Sequence, residues 1–171
     1  YTIYLKDRIK KGRKPKTIWA DSKYDASSHG TILLKEMFGG QKLFSYPKSI
    51  YTIIDILKIT TNFQSNDLIL DFFAGSGTTG QAVMELNSED GGKRKFILCT
   101  NNENNIAEEK CYPRLVNVIK KNPANLKYFK TDFVPKNKVS DDTRMELVKK
   151  STEMICVKEG TFQEVFSSDK Y

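Results

Sequence analysis

The 171-residue chain predicts an α/β fold built on a partial, Rossmann-like parallel sheet. Three observations carry that reading. Two short apolar runs, LILDF at 68–72 and FILC at 96–99, have the nearly continuous pattern of parallel strands. Helix-compatible segments follow both, and strand–helix alternation with right-handed crossovers is how parallel sheets are wound. Between the first run and its helix lies AGSGTTG, residues 74–80. It is a loop of small residues beyond the carboxyl end of a strand, where open α/β sheets hold their ligands.

Residues 1–46 read as an irregular basic segment. It holds an expected short strand around Thr17-Ile18-Trp19, a polar loop (ADSKYDASSHG), and a short helix at TILLKEMF ended by Gly39-Gly40. Pro47 suits the first turn of a helix, and Ile50, Ile53, Ile54 and Leu57 follow at helical spacing. A helix is therefore expected over about 48–60. Asn66-Asp67 makes a turn into the first strand, Leu68 to Phe72. Ala82, Val83 and Leu86 place a helix from Thr78 to about Asn87, and Gly91-Gly92 breaks it. Phe96 to Cys99 is the second strand. Asn104 to Lys121 is helix-prone, with Ala107, Cys111, Leu115 and Val118 on one face. Pro113 inside it marks either a kink or the start of a second helix. Leu126 to Phe133 alternates in part and reads as a third strand. Ser140 is a candidate cap for a last helix, with Asp141 and Asp142 in the first turn and Met145, Val148, Thr152 and Ile155 on its inner face. The expected organisation is thus 1–46 irregular, 47–160 an α/β ligand-binding region, and 161–171 a tail.

The totals narrow the function classes. Hydrophobic residues make up 39% of the chain, enough for a single core. No apolar stretch approaches the ~20 residues of a membrane span, and YTIYLKDRIK lacks the apolar run of a signal peptide. A soluble, cytoplasmic protein with no membrane partner is expected. Cys99, Cys111 and Cys156 have no metal-ligand spacing, and His29 is the one histidine, so no metal site is expected. The net charge of +7 and pI near 9.2 suit an anionic partner such as nucleic acid. The densest basic run, KKGRKPK, carries Lys10, Lys11, Arg13, Lys14 and Lys16. It is either a solvated linker or a contact for DNA phosphates.

The loop itself limits the ligand. Gly75-Ser-Gly77-Thr-Thr-Gly80 satisfies GxGxxG, but Gln81 follows where a Walker phosphate loop needs lysine. In a dinucleotide fold the pyrophosphate would lie beside Asp71, which repels it. A glycine turn that only lets the helix pack closely on the sheet is the bland alternative. Asp71 at the strand tip suits a ligand with positive charge, while the loop N–H groups suit an anionic one. S-adenosylmethionine carries an ammonium, a carboxylate and a sulfonium, and no phosphate. Asp71 can take the ammonium, the glycine N–H groups and threonine hydroxyls the carboxylate, and Phe72 or Phe73 the apolar parts.

DFFAGSGTTGQAV resembles the cofactor motif of DNA amino-methyltransferases, the enzymes that methylate adenine N6 or cytosine N4. FSYPKSIYTIIDIL sits just upstream, as the flanking motif of that family does. RKFILCTNNENNIAEEKCYPRL and NLKYFKTDF resemble the modification subunits of type III restriction systems and their adenine-N6 relatives. The resemblance covers about residues 17–157. It implies a sheet of the S-adenosylmethionine-dependent methyltransferase type, with Asp71, Phe72, Phe73, Ala74, Gly75, Ser76, Gly77, Thr78 and Thr79 around the methionine part of the cofactor. It also implies that Lys48 and Ser49 close the same pocket. The ribose partner at the end of the second strand would come from Asn101 or Glu103, since Thr100 stands where the family usually has an acid. As partners it implies double-stranded DNA through the full-length protein, with a restriction subunit and a homodimer as further candidates.

The family's catalytic tetrapeptide, Asp/Asn/Ser-Pro-Pro-aromatic, is absent. None of Pro15, Pro47, Pro113, Pro123 and Pro135 has a proline neighbour. That element holds the target amino group of a flipped-out base, and much of the rate comes from such positioning. No catalytic residue is therefore assigned in this chain. It is expected to be a C-terminal portion of a larger methyltransferase, inactive alone, as its start without methionine also suggests. The alternatives are a non-catalytic interaction or assembly fragment and an NAD-dependent oxidoreductase.

Overall fold

The computed structural model describes residues 15–41, 44–134 and 140–161. The chain divides into two compact units between Tyr128 and Phe129. In the first unit, β1 (Leu68–Asp71) and β2 (Lys95–Leu98) form a two-stranded parallel sheet, in the register Leu68–Lys95, Ile69–Phe96, Leu70–Ile97 and Asp71–Leu98. The expected strands are thus found with ends shifted by one residue. Antiparallel neighbours could be joined by a tight turn; this parallel pair needs a crossover, and α3 (Thr78–Asp90) supplies it.

The face of the sheet that carries Ile69, Phe96 and Leu98 packs against helices. α2 (Ile50–Thr60) lays Ile50, Ile54 and Leu57 against Ala82, Val83 and Leu86 of α3, with Ile69 and Phe96 beneath. On the other flank of α3, Ala74, Met84 and Cys111 pack with Leu115 and Val118 of α4 (Tyr112–Ile119), and Phe96 and Leu98 close the cluster. Phe96 therefore belongs to both clusters. α3 has helices on both sides, and its residues Gly80 to Met84 are buried without a break.

The Asn104–Lys121 stretch resolves the question raised by Pro113. A 3-10 turn (Glu103–Asn105) leads to a π-helical turn (Ala107–Cys111), and α4 starts immediately afterwards, with Pro113 in its first turn. Proline has no N–H to give and its ring crowds the carbonyl four residues back, so the chain changes pitch before it. Ala107, Cys111, Leu115 and Val118 are all buried, as their spacing predicts.

Four expectations are corrected. Leu126–Phe133 is assigned to no strand, and the boundary between the two units falls inside it. Leu126 packs against the core cluster beside α4. Thr17-Ile18-Trp19 forms no strand either; Trp19 Nε1 turns back to donate to Lys16 O at 2.7 Å. The polar stretch at 20–30 is partly helical, with a 3-10 turn at Ser22–Tyr24 and a π-helical segment at Ser27–Ile32 that runs into α1 (Leu33–Met37). Here Asp25 supplies the start, accepting from the N–H groups of Ser27 and Ser28. In the second unit, α5 (Ser140–Glu159) forms with Asp141 and Asp142 in its first turn, but its expected inner face is exposed at Met145, Val148 and Ile155. The capping role of the Ser140 side chain, the tail from 162 and most of the basic run lie outside the described residues. Among the described residues no helix is long and apolar enough to cross a membrane.

Candidate functional site

β1 ends at Asp71, and the chain then turns over the tip of β2. The Asp71 carbonyl accepts from Cys99 N at 2.8 Å, and Ala74 N donates to Cys99 O at 3.0 Å. The loop is thereby clipped to the end of the second strand. The Asp71 carboxylate also shapes it: one oxygen accepts from Phe73 N at 3.1 Å and the other from Thr79 Oγ1 at 2.6 Å. Phe72 and Phe73 are left pointing into solvent, 65% and 87% exposed, with their rings edge to face.

The turn into α3 needs glycine at two places. Gly75 has φ +51° and Gly77 φ +80°, both in the left-handed region. A Cβ on Gly77 would also lie 2.8 Å from Cys111 Sγ. Gly77 N donates to Ala74 O at 2.7 Å and Gly77 O accepts from Gln81 N at 3.2 Å, so the turn flows directly into the helix. The first N–H groups of α3 consequently open onto the loop, where they favour an anionic group.

Beneath the loop lies Arg114, fully buried on α4. Its Nη1 donates to Ser76 Oγ and Thr78 Oγ1, each at 2.9 Å, and to Ser76 O at 3.3 Å. Its Nε donates to Gln81 Oε1 at 2.6 Å, and the Gln81 amide in turn donates to Glu85 Oε1 at 2.7 Å. Nη2 has no partner. Among the described residues no carboxylate bonds the guanidinium directly, and burial pushes its pKa down to about 10. Burial likewise raises the Cys111 thiol to about 11, against the lowering effect of the Arg114 charge, and the residue packs in the core cluster.

The tip of β2 carries the asparagine-rich turn. Asn102, Asn104 and Asn105 all have positive φ, between 51° and 55°. Asn102 Oδ1 accepts from Ala107 N at 2.9 Å and so caps the helical segment. Asn101 Oδ1 accepts from Glu103 N at 3.2 Å, and both residues are exposed.

The predicted residues thus fall into three sets. Asp71 to Thr79 run without a break from the end of β1 through the glycine loop into α3, with Asn101 and Glu103 beyond the neighbouring strand tip. Lys48 is exposed, and Ser49 is 2% exposed with its hydroxyl donating to Lys23 O at 2.7 Å. What brings that upstream segment to the loop is Phe44, whose ring comes within 3.6 Å of the Cβ position of Gly75. Of the basic run only Lys16 is described, and it is exposed; Lys10, Lys11, Arg13 and Lys14 lie outside the described residues. Lys16 instead edges a cleft of about 600 Å³ lined by Trp19, Tyr24, Asp55 and Ile59, which none of the strand-tip residues reach. Tyr24 OH and Lys23 Nζ both meet Asp55 there, each at 2.6 Å. Among the described residues no group of His, Cys, Asp or Glu is placed to hold a metal ion. Sequence reading missed Arg114, Gln81 and Phe44.

Comparison with known proteins bears on the same loop. The model of the DNA methylase family matches residues 2–112. The chain is 45% identical over 105 residues to the type III restriction-modification enzyme EcoPI Mod subunit of Escherichia phage P1, across 59% of the chain and 16% of that relative. It is 41% identical over 90 residues to the StyLTI Mod subunit of Salmonella typhimurium, across 53% of the chain and 13% of the relative. It is 43% identical over 89 residues to the type II methyltransferase M.KpnI of Klebsiella pneumoniae, across 52% of the chain and 20% of the relative. The matches therefore span only a fifth or less of these relatives' own lengths. The matched stretch includes β1, the glycine loop, α3 and β2, and on that basis the chain belongs to the DNA methylase family.

Proposed function

We propose that the chain is the S-adenosylmethionine-binding portion of a site-specific DNA methyltransferase that methylates adenine N6 within a restriction-modification system. The observation that carries the reading is the pairing, at one strand tip, of the Asp71 carboxylate with the open N-terminus of α3 and the hydroxyls of Ser76 and Thr78. Opposite charges on one small ligand fit that pairing; a pyrophosphate does not. The family match and the three relatives named as modification or methyltransferase proteins support it.

In this reading Asp71 takes the ammonium while keeping its two bonds within the loop. The α3 N–H groups and the two hydroxyls hold the carboxylate, Phe72 and Phe73 cover apolar parts, and Asn101 or Glu103 reaches the ribose. Lys48 closes the pocket from the upstream segment. The bound cofactor supplies an electrophilic methyl on its sulfonium. Positioning the target amino group requires the Asp-Pro-Pro-aromatic type of element that this sequence lacks, so double-stranded DNA is engaged through the longer protein, with a restriction subunit as its partner.

Titration calorimetry of the full chain with S-adenosylmethionine, and separately with NAD, tests the reading. Binding of the former alone is the expected result. Asp71→Asn keeps an acceptor for Phe73 N but removes the charge, and should weaken binding about tenfold. Unchanged affinity in that variant removes the ammonium contact, and preference for NAD removes the methyltransferase assignment.

A further inference from the structure

Arg114 is the one fully buried cation described behind the loop, and it bonds only neutral groups. A buried charge with no direct counter-charge is costly, so its retention calls for a physical reason. The bond directions supply one. Ser76 Oγ and Thr78 Oγ1 both accept from Nη1. A hydroxyl that accepts from a fixed donor has its own proton free to give. Among the described residues neither hydroxyl donates to a protein acceptor. Arg114 thereby converts both into donors, and its charge strengthens them through the shared hydrogen bonds. Gln81 is fixed in the same sense: Glu85 holds its amide nitrogen, so its oxygen faces the guanidinium.

We infer that Arg114 is a positioning residue that makes the glycine loop selective for the carboxylate end of its ligand, acting through the hydroxyls of Ser76 and Thr78 without touching the ligand. The inference rests on the S-adenosylmethionine reading above and deepens it. The Asp71 side of the site recognises positive charge; the Arg114 side supplies the opposite polarity. A ligand keeping the adenosine, sulfonium and amine but lacking the carboxylate would satisfy only the first.

Decarboxylated S-adenosylmethionine is such a ligand. Affinities of the full chain for it and for S-adenosylmethionine are measured side by side, with folding checked by circular dichroism. The wild-type chain should prefer the carboxylate-bearing ligand by about tenfold, the scale of a charge-assisted hydrogen bond. In Arg114→Met that preference should collapse to within about twofold, through weaker binding of S-adenosylmethionine with the decarboxylated ligand unchanged. Arg114→Lys, which keeps the charge on a shorter reach, should restore part of the preference. Where Arg114→Met fails to fold, the double variant Ser76→Ala/Thr78→Val takes its place and must flatten the preference in the same way. Equal weakening of both ligands in the folded variant means that Arg114 only shapes the loop; the inference then falls while the cofactor assignment stands. A wild-type chain that binds neither ligand overturns the cofactor assignment and this inference with it.

Discussion

Gly77 concentrates the local constraints of the site in one residue. Its φ of +80° strains any other L residue, and the Cys111 sulfur occupies the place of its missing side chain. Gly77→Ala is expected to cost about 1–3 kcal/mol, read from urea unfolding. Part of that cost is the clash and part is the backbone, and the two separate. Adding Cys111→Ala should recover the clash, giving a favourable coupling on the order of 1 kcal/mol in a double-mutant cycle, while the φ cost stays. No coupling would mean that the sulfur moves aside freely. Glycines of this kind are legible in a sequence because little else replaces them, and so was Asp71 at the end of an apolar run. Arg114 was not, since an arginine in a helix ordinarily reads as a solvated side chain. The signal was present all the same: it stands three residues after Cys111 and four before Val118, on the apolar stripe of its helix. The Asp71–Thr79 bond was equally hidden, because a contact eight residues apart across a turn has no periodic signature.

At the scale of elements, the joint between α3 and β2 decides whether the crossover holds its register. Arg94, immediately before β2, is buried, with its side chain only 2% exposed. It meets Asp90 through two hydrogen bonds at 3.0 and 2.9 Å, and Thr61 at the end of α2 through a third at 2.7 Å. Asn87 completes the lock by bonding both the Arg94 N–H and its carbonyl. Asp90→Ala strips a buried guanidinium of its counter-charge and should cost about 2 kcal/mol. The hydrogen bond from Arg94 holds the Asp90 carboxyl below the usual carboxylate range. Its contribution is thus complete above the unfolded pKa of about 3.9 and is lost as pH falls through the lower folded value. Urea midpoints at pH 5 and pH 2.5 should converge between wild type and Asp90→Ala; a constant gap would rule the linkage out. The elements around this joint were readable because apolar runs and 3.6-residue spacing reported real burial at Ile50, Ile54, Leu57 and Val83. The same patterns misled at Leu126–Phe133, where the partial alternation forms no strand among the described residues, and on α5, where Met145, Val148 and Ile155 are exposed. Pattern records which residues prefer cover; it does not say that the cover is present.

For the whole molecule the consequence lies on the second face of the sheet. Parallel sheets are ordinarily covered on both sides, and two strands alone make a marginal sheet. Here Leu68 and Leu70 are each 61% exposed and Ile97 is 47% exposed, with Phe72 and Phe73 at the adjoining tip. Among the described residues β1 and β2 pair only with each other, which leaves both strand edges without a neighbour there. Such a surface favours association of the isolated chain. The net charge of +7 opposes that association by mutual repulsion, and salt screens the repulsion within about 10 Å at 0.1 M. Sedimentation velocity should therefore show association that rises with both protein concentration and salt. Leu68→Lys/Leu70→Lys should suppress it while changing unfolding stability by roughly 0.5 kcal/mol or less per site, because these side chains already stand in water. Leu86→Ala, on the covered side with no exposure, should instead cost about 2–5 kcal/mol and leave the association pattern of the remaining folded chain in place. A chain that stays monomeric across concentration and salt, with a high melting temperature, would show that the bare face needs no partner to be stable.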